Sequence, residues 1–194
     1  MTKLAVLSLA LMACGGGSSD DDFDAAAASM EGIYQVQSYT RNDNACSAGG
    51  ESILGADRFA AAYTQKFLGI TLLSVISCAS PADCRDKLAA ERAGEGFQID
   101  FLFSVQFLGG DGELIGSGAS TGFGDGEVCT EAELTATLLT LAGSELRLEQ
   151  AITIADDFPV DSNGFCTTSG ASAAAEGKTC SQLKVLTATF FEPL

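Results

Sequence analysis

The side chains in this chain able to do chemistry are its acids, its hydroxyls, ten Lys and Arg and seven Cys; it has no His and no Trp. Without imidazole, histidine activation of Ser or Cys, histidine general bases and every metal site built on His are excluded. Ser181-Gln182-Leu183-Lys184 sets a Lys three residues after a Ser, the spacing at which an amine activates a hydroxyl on one helical turn. The stretch alternates like a strand, which sends the two side chains to opposite faces, so this pair is not expected to meet. Asp156, Asp157, Asp161 and Asn163-Gly164 form the densest acidic loop. Aligned with a calcium loop, Pro159 and Gly170 fall at coordinating places, so a polar turn is expected. The run Gly116 to Gly126 (GSGASTGFGDG) lacks the spacing, the helix and the Lys of a phosphate cradle. Acids are plentiful, but no pair is singled out for carboxylate hydrolysis. A non-catalytic protein with no cofactor and no metal is the expectation.

The amino end carries the clearest signal. Met1 to Lys3 is a short basic start, and Leu4 to Ala13 (LAVLSLALMA) is ten uncharged residues, the length of a secretory apolar segment and too short to span a bilayer. It runs into Leu11-Met12-Ala13-Cys14. This resembles the lipobox of bacterial lipoprotein precursors: an aliphatic residue, a tolerant position, a small residue, then Cys. The resemblance implies removal of residues 1–13 as a signal peptide and lipid attachment (diacylglyceryl thioether and N-acylation) at Cys14. Two or more acyl chains make a stable anchor where one does not. In such lipoproteins an Asp after the acylated Cys signals inner-membrane retention. Gly15 stands there instead, so the resemblance implies the outer membrane, with the globular domain in the periplasm or at the cell surface.

Residues 14–29 continue as a Gly, Ser and Asp-rich segment (CGGGSSDDDFDAAAAS), read as a disordered tether with an r.m.s. reach of about 20 Å. Removal of Lys3 leaves nine basic residues against 26 acidic, a formal charge of −17. Such a charge repels phosphate backbones and anionic headgroups, so the membrane is expected as partner only through the anchor, and nucleic acid not at all. With Cys14 assigned to lipid, Cys46, Cys78, Cys84, Cys129, Cys166 and Cys180 remain, an even set that implies three disulfides in an exported domain. Chain proximity suggests Cys78 with Cys84 and Cys166 with Cys180, leaving Cys46 with Cys129; the count alone does not fix the pairing.

Residues 30–194 read as one β-rich domain. Phe97 to Phe107 alternates large apolar and mostly polar residues, a strand with one buried face, and Gly109-Gly110-Asp111-Gly112 has hairpin chemistry leading to residues 113–120. Residues 33–40, 128–141, 145–154 and 183–191 add further strands. Ser80-Pro81-Ala82-Asp83 is a helix start, and the helix runs to Gly94. Residues 57–76 are ambiguous: they could form a second helix (DRFAAAYTQKFLG) followed by a buried strand (ITLLSVI), and periodicity alone does not decide. The class is mainly β: an antiparallel meander, either an up-and-down barrel or a two-layer sandwich, with one or two short helices and disulfide staples. Gly32-Ile33-Tyr34 is similar to the opening Gly-x-aromatic of lipocalin-like barrels. That similarity implies that Phe97, Phe101, Phe103 and Phe107 line a cavity for an apolar ligand; the plainer expectation is that they fill the core.

Overall fold

Alternation of apolar and polar residues lays down the strands, and the computed structural model describes residues 20–43, 46–47, 49–67, 70–93, 102–109, 113–121, 124–125 and 128–194. The strands are β1 (Gly32–Asn42), β2 (Glu51–Ser52), β3 (Phe59–Phe67), β4 (Ile70–Cys78), β5 (Leu102–Val105), β6 (Phe107–Leu108), β7 (Leu114–Thr121), β8 (Gly124–Asp125), β9 (Val128–Ala142), β10 (Glu145–Pro159) and β11 (Gln182–Glu192). They form a single antiparallel sheet in the order β5-β4-β3-β1-β11-β10-β9-β7-β6, with β2 beside β1 and β8 beside β9. Most long strands pair with the next long strand in the chain, and the last long strand pairs with the first. The two ends of the path, β5 and β6, are consecutive in the chain and separated by Gln106 alone. Its N–H donates to Ile115 O at 3.0 Å, so the chain leaves β4 and joins β7 at that residue. The sheet is thus curled on itself like a barrel rather than split into two layers.

The concave face holds the main core: Tyr34, Val36, Tyr39, Leu73, Val75, Val105, Leu114, Leu139, Leu146, Leu148, Leu186 and Ala188. In register, Leu114, Leu139, Leu148, Leu186 and Tyr39 form one continuous row across five strands. One end of the curl is covered by α1 (Asp20–Ser29), whose Phe23 and Ala27 enter this core together with the following Met30. The acidic half of the expected tether is therefore helix. Phe23, Ala27 and Met30 recur at helical spacing, and Tyr34 Oη donates to Met30 O at 2.7 Å just past the helix end. Burying Phe23 alone stabilises the docked helix by about 2 kcal/mol.

Residues 57–76 resolve as two strands. The helix-forming run Phe59-Ala-Ala-Ala-Tyr63 is extended because both of its faces are used: Ala60 and Ala62 line the core, while Phe59, Ala61 and Tyr63 lie under α2 (Pro81–Arg92) on the convex side. Helix α2 starts as expected, with Ser80 Oγ accepting from Asp83 N at 3.2 Å. A third helix, α3 (Thr168–Ala175), packs Ala171 and Ala175 on Cys129, Ala155 and Phe158. It occupies the Gly, Ser and Ala-rich stretch between Cys166 and Cys180; Thr167 caps it, accepting from Gly170 N at 3.1 Å.

Three disulfides form, Cys46–Cys180, Cys78–Cys84 and Cys129–Cys166. Only Cys78–Cys84 follows the chain-proximity pairing. Cys166 is drawn to Cys129 because α3 packs on the convex side of the β9–β10 hairpin, and that leaves Cys180 to Cys46, at the neighbouring ends of β11 and β1. Gly143, at φ +63°, makes the β9–β10 turn in a conformation that side-chain-bearing residues avoid.

Candidate functional site

The expected phenylalanine face does not assemble as read. Phe97 and Phe101 lie outside the described residues, and Phe103 stands opposite Val75 in the β4–β5 ladder. Phe107 is 55% exposed. The cause is the partner switch at Gln106, which reverses the phase of alternation: Val105 is buried in the core, Phe107 faces outward, and Leu108 packs against the core instead.

Toward the end remote from α1 the concave face turns polar. One row beyond Tyr39 and Leu186, the register sets Glu51, Arg41, Lys184, Gln150, Thr137 and Gly116 side by side across six strands. Side chains two apart on a strand share a face, so this row faces inward like the apolar row above it. Arg41 Nε lies 3.0 Å from Asp43 Oδ1, and that oxygen also accepts from Gln182 Nε2, tying the end of β1 to the start of β11 beside Cys46–Cys180. Arg41 and Lys184 are direct cross-strand neighbours, a like-charge placement offset by Glu51 on β2 and by Asp43 just past the end of β1.

Beyond this row opens a shallow cleft of about 620 Å³ lined by Glu131, Ile154, Asp156, Gly177, Lys178, Thr179 and Ser181. Glu131 and Asp156 are opposite each other in the β9–β10 ladder, and Lys178 Nζ lies 3.9 Å from Asp156. The spacing in the sequence hides this pair, because a hairpin register brings it together. Both acids are exposed, so no difference in burial sets one up as acid and the other as base. Ser181 Oγ accepts from Ile154 N at 3.3 Å at the edge of the ladder, while Lys184 stands in the inward row.

The acidic loop is a turn folded on its own carboxylate. Asp161 Oδ1 accepts from Asn163 N at 2.8 Å and Phe165 N at 2.9 Å, and the Phe165 N–H, then that of Asn163, hold its carboxyl below the usual carboxylate range. Among the described residues no group of three or more Cys, Asp or Glu is arranged to hold a metal ion. On the convex face Glu149 is buried, with Oε1 receiving Arg147 Nε at 2.7 Å and Oε2 without a partner. The sequence offered no warning of that buried acid, which follows from its place between Leu138 and Val185. Comparison with known proteins gives no match to any family model, curated protein or solved structure.

Proposed function

We propose that this chain is a lipid-anchored cell-envelope protein with a non-catalytic binding or structural role, held at the outer membrane by acylated Cys14. The observation that carries the reading is Leu11-Met12-Ala13-Cys14 at the end of a short basic and apolar leader. Two further features support it. The other six cysteines pair among themselves, so Cys14 is not required for a disulfide. The first described residue, Asp20, begins the helix docked on the curled sheet, six residues after Cys14.

For a binding role, the inward row of Arg41, Lys184, Gln150 and Thr137 and the adjoining cleft are the surfaces that suit a polar ligand. A lipocalin-like carrier of an apolar molecule would use the other half of the concave face, where Phe23, Met30, Tyr34 and Leu146 are packed together. A carboxylate hydrolase is the remaining alternative, and it would rest on Glu131 and Asp156. Hydrolysis of glycans or esters by the protein, lost in Glu131→Gln and Asp156→Asn, would replace the non-catalytic reading.

Intact mass of protein extracted from bacterial envelopes, before and after reduction, tests the main reading. The expected mass lacks residues 1–13, carries acyl chains at Cys14, and yields six additional thiols only on reduction. A mass that retains the leader and carries no lipid would overturn it.

A further inference from the structure

We propose that the α1 end of the curled sheet rests on the bilayer, with Ile70, Phe107, Phe190 and Phe191 forming an apolar rim seated among the lipid headgroups. This rests on the anchoring reading and adds an orientation to it.

Seven large apolar side chains are exposed among the described residues: Ile70 54%, Phe107 55%, Val128 43%, Phe165 67%, Phe190 42%, Phe191 51% and Leu194 41%. Five of them gather at one end. Ile70 opens β4 just after the β3–β4 turn, Phe107 lies beside the β6–β7 turn, and Phe190 and Phe191 lie where β11 pairs with the first residues of β1, ahead of Leu194. Helix α1, which leads directly into β1, covers this same end. Isolated exposed apolar residues are ordinary, but a set confined to one end of a barrel-like sheet marks a surface that meets something apolar.

Chain length selects the occupant. From Cys14 to Asp20 there are six residue steps, at most about 20 Å when fully extended. With α1 packed into the core, the anchor cannot stray further than that from the start of the helix. A leash so short keeps the end covered by α1 close to the membrane, where aromatic rings enter the headgroup boundary by about 5–10 Å. Phe190 is held in place for this: its ring lies edge-on to Tyr34 at 5.6 Å, against Gly32, where a Cβ would stand 2.6 Å from the ring. Charge refines the partner. Asp21, Asp22, Asp24 and Glu145 are exposed at this end against Lys66, so the net acidic rim suits zwitterionic headgroups and is repelled by anionic ones.

The absence of Trp gives a clean probe. Mature acylated protein, beginning at Cys14 and carrying Phe107→Trp or Phe191→Trp, and Phe165→Trp at the α3 end as control, is reconstituted into phosphatidylcholine vesicles with or without brominated acyl chains. Two separate rim positions guard against one replacement failing to fold. The expected result is at least about twofold quenching at positions 107 and 191 with little at 165, falling when phosphatidylglycerol replaces part of the phosphatidylcholine. Rim tryptophans left unquenched in protein that floats with the vesicles would overturn the orientation and leave the anchor standing. Equal quenching at position 165 would overturn it as well. Rim tryptophans shielded from water without lipid quenching, in a particle of doubled mass, would assign the rim to a second copy instead. Protein that does not float with vesicles at all would defeat the anchoring reading itself.

Discussion

At the scale of single residues, burial governs ionisation. All three tyrosines, Tyr34, Tyr39 and Tyr63, are buried, and burial raises the pKa of each, that of Tyr34 to about 12. A phenol whose folded pKa lies above its unfolded value stabilises the fold fully below that unfolded value, and the contribution is lost as pH rises through the folded one. Phenolate absorbance should therefore stay silent through the ordinary tyrosine range near 10 and appear only above it, together with loss of the circular-dichroism signal. A gradual titration near 10 without unfolding would contradict this burial. Asp161 has the opposite sign. Its depressed pKa means that its support for the 161–165 turn holds above the ordinary carboxylate range and fades as pH falls through the folded value. Amide-exchange protection of Asn163 and Phe165 should fall on acidification, and at neutral pH in Asp161→Ala, while the core strands keep theirs.

At the scale of elements, α1 and the disulfides offer the sharpest tests. Phe23→Ala removes a ring buried in the main core and should cost about 3 kcal/mol in urea unfolding. A change below about 0.5 kcal/mol would mean that α1 does not dock. The Cys46–Cys180 bond spans 134 residues and Cys78–Cys84 only 6. Replacing both members with Ala should cost about 4 kcal/mol for the long loop and about 2 for the short one, since a longer loop restrains the unfolded chain more. Peptide mapping without reduction checks the pairing directly: a fragment joining Cys166 to Cys180 would contradict the fold. The helix start at Ser80-Pro81 was legible because capping is local chemistry, carried by a few adjacent residues. The strand character of Phe59 to Phe67 was not, because it depends on burial of both faces by α2 and the core, and local preference points to helix.

At the scale of the whole molecule, the polar and apolar halves of the concave face divide the protein along its length. The apolar half is closed by α1, and the polar half, with Arg41, Lys184 and the Glu131–Asp156 cleft, opens at the far end. Under the anchoring proposal the polar opening points away from the bilayer. Soluble polar ligands should then reach it in the vesicle-bound protein as readily as in detergent, which chemical-shift changes at Lys184 and Gln150 would register.

By itself the sequence determined the antiparallel β class, most strand positions, the capped helix and an even set of six paired cysteines, because alternation, turn residues and capping act over a few neighbouring positions. It also supplied Leu11-Met12-Ala13-Cys14, the four consecutive residues on which the anchoring proposal rests. Long-range packing alone made the sheet curl instead of layering, brought α1 over one end, joined Cys166 to Cys129 and turned Phe107 outward. Each of these depends on which distant segment a residue packs against: the switch of partners at Gln106 reverses a phase set earlier in the strand, and the seat of α3 on β9 and β10 settles which sulfurs meet. No spacing along the chain encodes those meetings.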